Sequence, residues 1–273
     1  MGISGNDFEY LTSIIRQDSA IVLEKGKEYL IESRLAPVVK EHGLESLEQL
    51  VAKLKNPGST FLRAEVVEAL TTNETSFFRD IEPFEVLKST LIPELIQKRK
   101  DKKQLSLWCA ASSTGQEPYT VAMLIREHFP QLNDWKITFI ATDLSKEVLE
   151  KARSGVFSQM EVNRGLPVTY LVKYFEKIGS DFRIKESIRK MVRFEELNLI
   201  KPFTIIPEVD LVMIRNVLIY FDVQVKREIL GKIRKVLRSD GYLILGAAET
   251  TLNLDEKFER RAVGKSSCYH QKG

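Results

Sequence analysis

Four short polar clusters carry the residue types that could do chemistry. SSTGQE (112–117) follows the apolar run LSLWCA (105–110). Small side chains and one Gly let a backbone approach a ligand closely. Glu117 then falls in the first turn of a helix pattern whose leading N–H groups are open. Asp143 ends a second apolar run, KITFIATD (136–143). An acid there can accept both ribose hydroxyls of a nucleoside, because a carboxylate has two acceptor oxygens. IRNVLIYFD (214–222) sets Arg215, Asn216 and Tyr220 after a third run, and TTNETSFFRD (71–80) sets Asn73, Thr75 and Arg79 beside two aromatics. Each cluster also has a plainer reading. Glu117 would favour a helix dipole, Asp143 would cap a helix, Arg215 would make a surface ion pair, Tyr220 would be a core aromatic with a wet hydroxyl, and Thr71 with Glu74 would form a capping box.

What the chain lacks narrows the ligand. There is no G-x-G-x-x-G and no G-x-x-x-x-G-K-[ST], so neither a dinucleotide pyrophosphate nor a nucleoside triphosphate has its loop. The missing glycine fingerprint argues against a nicotinamide oxidoreductase. Small residues at one strand end and a carboxylate at the next suit a nucleoside ligand without phosphate. S-adenosylmethionine is the common one, and its positive sulfonium fits an acid such as Glu117. His42, His128 and His270 have no metal spacing, so no metal is expected.

The elements that must position these clusters fall into two textures. Residues 6–75 carry apolar residues at helical spacing, starting with Phe8, Leu11, Ile14 and Ile15 behind an expected cap at Asn6. Pro37 marks a break or a new helix start. From Gln104 onward, near-continuous apolar strands alternate with helix patterns, which predicts a mostly parallel sheet covered on both faces. Strands are expected at 105–110, 136–143, 209–216 and 242–247, with SSCYHQK (266–272) as an edge strand. Residues 155–193 break the rhythm and read as an inserted small β-subdomain. The expected organisation is an N-terminal helical domain over 1–80, a linker over 81–103 ending in the basic run KRKDKK, and an α/β domain over 104–273.

The balance of 41 basic and 38 acidic residues, net +3, argues against a nucleic-acid binder working by bulk charge. Residues 1–75 hold 8 Lys/Arg and 12 Asp/Glu, so the two parts have different surfaces. Two cysteines without paired spacing suggest reduced thiols. With no signal-peptide pattern and no membrane-length apolar run, a soluble, cytoplasmic protein without membrane insertion is expected.

In this order, TTNETSFFR, WCAASSTGQEPYT, ATDLSKEVLEKARSGVF and IRNVLIYFD closely resemble the CheR-type chemoreceptor methyltransferases, over about residues 8–270. The resemblance implies an N-terminal helical domain, a Rossmann-like domain binding S-adenosylmethionine, and a small inserted antiparallel β-subdomain. It implies methyl transfer to specific glutamates on the cytoplasmic methylation helices of chemoreceptors, giving glutamyl methyl esters and S-adenosylhomocysteine in chemotaxis adaptation. By motif, Asn73, Thr75, Arg79, Ala111, Glu117 and Asp143 contact the cofactor, with Asp143 at the ribose. Asn198 and Leu199 lie near the adenine, and Arg215 and Asn216 close the pocket. Arg79 and Tyr220 are the implied catalytic residues. Arg16, Lys27, Arg34 and Lys40 are candidates for a basic face that docks the receptor. A regulatory partner on the N-terminal domain and a monomeric state are also expected.

Two departures stand out. Many relatives have two acids where this chain has Gln116–Glu117, and His-Ser-Glu where it has Ala247–Ala248–Glu249. The insertion is short, with only Gly179–Asp181 as a turn between Phe175 and Phe182, too short for the loop that some relatives dock on a receptor's C-terminal pentapeptide. The pentapeptide-independent type is therefore expected. The rival readings are a relative that binds partners without transferring methyl groups, and a methyltransferase for another substrate.

Overall fold

The computed structural model describes residues 3–272. The chain divides into two compact units, one running to Thr72 and including Tyr220–Lys226, the other holding Asn73–Ile219 and everything from Arg227.

The first unit is built from α1 (Gly5–Ser19), α2 (Glu28–Glu41), α3 (Leu47–Leu54) and α4 (Thr60–Ala69). Phe8, Leu11, Ile14 and Ile15 are buried on α1 as their spacing predicts. The cap, however, is Ser4 rather than Asn6; its hydroxyl accepts from the Asp7 N–H at 3.2 Å. Pro37 does not end a helix. It sits inside α2, exposed, while Ile31, Leu35 and Val38 on the opposite stripe are buried and hold both halves of the helix to the core. Arg34 donates to the carbonyls of Leu70 and Thr71 at 2.8 and 3.2 Å and to the Thr72 hydroxyl at 3.0 Å. It thereby satisfies the orphan carbonyls at the end of α4. Within this unit Ile21 bridges Phe221 antiparallel, and the Val22 N–H donates to the Tyr220 carbonyl at 2.9 Å.

The second unit opens with the loop from Asn73. Residues 82–99, expected as a linker, are helical instead: α5 (Glu82–Val86), a π-helical turn (Leu87–Leu91) and α6 (Ile92–Arg99). Phe84, Leu87, Leu91, Ile92 and Leu95 are all core residues, and this burial outweighs the polar look of the basic run. Then come β1 (Gln104–Ala110), α7 (Gln116–His128), β2 (Lys136–Asp143) and α8 (Lys146–Ser154). The insertion follows as β3 (Val156–Phe157), α9 (Gln159–Asn163), α10 (Val168–Tyr174), β4 (Phe175–Ile178), β5 (Asp181–Ile184) and α11 (Glu186–Arg189). The chain finishes with β6 (Arg193–Glu196), β7 (Val209–Ile214), α12 (Val223–Val236), β8 (Leu237–Leu245), β9 (Phe258–Val263) and β10 (Ser266–Gln271).

The large sheet has the order β6-β2-β1-β7-β8-β10-β9, and β3-β5-β4 form a separate antiparallel sheet in the insertion. β6, read from sequence as part of the insertion, joins the large sheet parallel to β2. β10 is not the edge strand; β9 is, paired antiparallel beyond it. β9 reads FERRAV, too polar to stand out as a strand by composition. β1 lies between β2 and β7, and all three run parallel. Ala110 is level with both Thr142 and Ile214. Three strands therefore end side by side where the strand order reverses, the place where open α/β sheets bind ligands.

The opposite end of the sheet is held by charge. Asp210 is 1% exposed and accepts from Arg99 Nε at 2.6 Å and from the Ser106 N–H at 2.7 Å. Arg238 approaches it at 3.2 Å. Removing one member of a buried pair strands the other, so Asp210→Ala is expected to destabilise the protein by roughly 3–5 kcal/mol in urea unfolding. A loss within experimental error would mean the cluster adds nothing. A second pair ties α6 to β9: Glu94 accepts from the two Arg261 Nη atoms at 2.8 and 2.7 Å and from the Tyr242 hydroxyl. The Arg261 guanidinium holds the Glu94 carboxyl at about 2, below its ordinary 4.5. A depressed folded pKa stabilises above the ordinary value, and that contribution vanishes as pH falls through the folded one. The melting-temperature gap between wild type and Glu94→Gln should thus be full at neutral pH and narrow from 4.5 toward about 2; a gap independent of pH would refute this.

Candidate active site

The turn after β1 is built from residues in the left-handed region. Ala111 (φ 54°), Ser113 (φ 49°) and Gly115 (φ 95°) alternate with ordinary ones. Only Gly115 adopts this without penalty. A Cβ there would also come within 3.1 Å of Ala152 Cβ, so the residue must be Gly to start α7 against α8. Hydrogen bonds hold the rest. Ser112 N–H donates to the Thr142 carbonyl at 2.9 Å, and Ser113 N–H donates to Asp143 Oδ2 at 2.8 Å. The Ser113 hydroxyl donates to the Asn73 carbonyl at 2.7 Å.

Asp143 is not the cap of α8. Ser145 is, accepting from the Val148 N–H, while Asp143 Oδ1 accepts from the Ser145 N–H at 3.0 Å. The carboxylate thus ties the end of β2 to the β1 turn. The Leu197 N–H donates to the Asp143 carbonyl at 2.9 Å, which brings Asn198 and Leu199 to the same strand end. Asn198 Oδ1 accepts from the Ile200 N–H at 3.1 Å, and Leu199 is buried with its carbonyl accepting from Lys232.

Arg215, at the end of β7, is buried at 6% exposure. Its Nη1 donates to Glu117 Oε2 at 2.8 Å; its Nη2 donates to the Arg79 carbonyl at 2.8 Å and to Asp80 Oδ2 at 2.9 Å. The guanidinium carbon lies 5.4 Å from the Phe84 ring centroid. This is not a surface ion pair. It is a buried clamp joining β7, α7 and the 79–80 loop. Glu117 accordingly has one oxygen held by Arg215, where the sequence reading had it facing the ligand. Burial, and then the Glu117 charge, keep the neighbouring Cys109 thiol protonated.

The 73–81 loop turns at Phe77–Asp80. No helix starts behind Thr71, so it makes no capping box; its hydroxyl donates to the Glu68 carbonyl at 2.7 Å. Phe77 is buried edge-to-face against Phe157 and Phe175 of the insertion. Phe78, Asp80 and Ile81 have positive φ. Arg79 and Thr75 are half-buried, and Arg79 Nη1 donates to the Glu74 carbonyl at 2.9 Å.

The sheet unit therefore gathers Asn73, Thr75, Arg79, Ala111, Glu117, Asp143, Asn198, Leu199, Arg215 and Asn216 on one set of connected loops. Tyr220 belongs to the helical unit, as do Arg16, Lys27, Arg34 and Lys40, the expected docking cations. Of these, Arg16 pairs with Asp222 at 3.1 Å, Lys27 pairs with Glu24 at 3.4 Å, and Lys40 is exposed. Arg34, expected as a docking cation, instead donates to the carbonyls at the end of α4. Sequence reasoning missed Glu249 as a working residue. Its Oε2 accepts from the N–H groups of Asn216 and Gly246 at 2.8 and 2.7 Å, and its Oε1 from those of Val217 and Leu218 at 2.9 and 2.7 Å. The signals were an acid two residues beyond the end of a strand pattern and its place in Ala247–Ala248–Glu249, where many relatives have His-Ser-Glu. Among the described residues there is no His/Cys/Asp/Glu cluster fit for a metal, and no helix long and apolar enough to cross a membrane.

A parallel sheet with a small-residue turn after its central strand and an acid closing the next defines a nucleoside-binding α/β enzyme of the Rossmann-like class. Residues 73–266 match the family model described as the CheR methyltransferase SAM-binding domain, and residues 6–71 match the CheR methyltransferase all-alpha domain. The chain belongs to the CheR methyltransferase family and is an S-adenosylmethionine-dependent methyltransferase. It is 39% identical to chemotaxis protein methyltransferase 1 of Pseudomonas aeruginosa, over 100% of both chains. It is 38% identical to chemotaxis protein methyltransferase Cher2 of Pseudomonas putida, over 98% of this chain and 99% of that one. Identity to a chemotaxis protein methyltransferase of Vibrio parahaemolyticus is 36%, over 94% of each.

The residues present fit the cofactor. The turn after β1 has no phosphate cradle, an acceptor-only carboxylate stands at the β2 end, and the buried Ser112 hydroxyl at the β1 end has no protein partner. Removing a charged acceptor from such a site loses a charge-assisted bond of about 1.5–3 kcal/mol. Asp143→Ala should therefore weaken S-adenosylhomocysteine binding by roughly tenfold or more in calorimetric titration. Wild-type affinity in the variant would remove Asp143 from the site.

Proposed function

We propose that this chain transfers the methyl group of S-adenosylmethionine to glutamate side chains in the cytoplasmic methylation helices of chemoreceptors, forming glutamyl methyl esters and S-adenosylhomocysteine. The observation that carries the substrate is the full-length 39% identity to a chemotaxis protein methyltransferase. The cofactor, when bound, supplies a methyl group on a positively charged sulfur. Asp143, Asn198 and Leu199 would hold its nucleoside end, and Asn73, Thr75, Ala111 and Asn216 would line the rest.

The substrate glutamate is already ionised at neutral pH, so no general base is required of the protein. Its carboxylate oxygen gains the methyl and the sulfur loses it; no proton moves. The protein's work is then alignment and exclusion of water, for which positioning can supply ~7–11 kcal/mol. Arg79 suits the alignment. A guanidinium carries five donors, and one N–H of Arg79 is engaged by the Glu74 carbonyl. Tyr220, which the resemblance implies is catalytic, would hold the incoming carboxylate by a hydrogen bond. The helical unit is the receptor reader in this proposal, with Arg16, Lys27 and Lys40 as the docking cations. The β4–β5 hairpin turns at Gly179–Ser180, and this short turn supports docking without a receptor pentapeptide.

Arg79→Ala tests the alignment role. With receptor-containing membranes and methyl-labelled cofactor, the variant should lose at least about a hundredfold in kcat. Near-wild-type turnover would sink the assignment, and absence of transfer by the wild type to any receptor would sink the substrate.

A further inference from the structure

We infer that Glu249 is a positioning residue for cofactor binding: its carboxylate sets the backbone of Asn216 through four N–H bonds. The inference rests on the proposed role of Asn216 in the cofactor site. The loop after β7 changes direction within three residues, and Asn216 takes φ 57° to do it. Consecutive N–H groups of such a turn have no strand partner, and unpaired backbone donors are not tolerated away from water. One ionised carboxylate, which accepts only and has about four acceptor sites, satisfies Asn216, Val217, Leu218 and Gly246 together. No neutral side chain of the same size could. A Gln amide would place two donors against two donors.

The neighbourhood is built around that carboxylate. A Cβ at Gly246 would lie 2.6 Å from Glu249 Oε2 and 2.8 Å from the Asn216 nitrogen, so position 246 has no room for any side chain. Beyond it, Glu249 and Gly246 line a cavity of about 750 Å³ together with Thr251, Phe258 and Tyr269. Without the carboxylate this side of the loop would face open space. Arg215 fixes the same strand end through its side chain, to Glu117 and Asp80. Glu249 fixes the next three residues through their backbone. The two anchors are independent, so losing Glu249 frees Asn216 while leaving the buried clamp in place.

The experiment compares the full-length wild type, Glu249→Gln and Gly246→Ala for S-adenosylhomocysteine binding by calorimetry and for steady-state methyl transfer. The expected result is a rise of about tenfold in both the dissociation constant and KM for S-adenosylmethionine in each variant, with kcat changed much less. A purely structural role would lower the melting temperature and the active fraction, and therefore kcat, with KM and affinity unchanged; that outcome overturns the inference. Gly246→Ala keeps the carboxylate and displaces it, so it answers the question even if Glu249→Gln does not fold. If the wild type itself fails to bind S-adenosylhomocysteine, the cofactor site falls, and the inference with it. If it binds and both variants bind equally well, only the role of Glu249 falls.

Discussion

A buried guanidinium must be neutralised where it stands, and Arg215 makes that requirement the organising constraint of the site. Isolated charge in a low-dielectric interior is untenable, and pairing compensates only when the geometry is good. Here Arg215 reaches Glu117 on α7, Asp80 and the Arg79 carbonyl from a single strand end. With β7 itself, the partners on α7 and the 79–80 loop bring together three segments that are apart in sequence. None can move without exposing a charge. The loop bearing Arg79 is therefore held by the same group that pairs with Glu117 at the start of α7.

Strain collects around this clamp. Phe78, Asp80, Ala111, Ser113 and Asn216 all adopt positive φ without being glycine. Each such residue costs of order 1–3 kcal/mol and persists only where the surroundings dictate it. The surroundings are identifiable: Asp143 holds Ser113, Ser113 holds Asn73, and Glu249 holds Asn216. Stability elsewhere, in the continuous apolar core and in the Asp210 cluster at the other end of the strands, offsets these local costs. Ala111, Ser113 and Asn216 lie at the strands' carboxyl ends, and the Asp210 cluster lies at the opposite end.

Much of the fold was legible. The central strands β1, β2 and β7 announce themselves as apolar runs, because strands buried on both faces need no polar alternation. The insertion was visible as a break in rhythm, and its short hairpin was visible in the Gly179–Asp181 spacing. Other elements were hidden for physical reasons. β9 is half polar because it is an edge strand. The helices over 82–99 were masked by the basic run at their end. Pro37 misled because a proline on the exposed stripe of a helix can be tolerated when the other stripe is packed.

The sequence by itself determined the residue types at the strand ends, their order, and the kind of ligand they suit. Motif and composition are local, and these are local properties. Only the tertiary structure decided what each side chain does. Glu117 and Arg215 read separately, as a residue of a helix start and a residue of a strand end; folded, they face each other, and one neutralises the other. Arg34 read as a docking cation, and the end of α4 claims it. Glu249 read as a remnant of an altered motif, and four backbone donors converge on it. A charged side chain is assigned by the partners that desolvation forces on it, and those partners are set by parts of the chain that no local pattern connects.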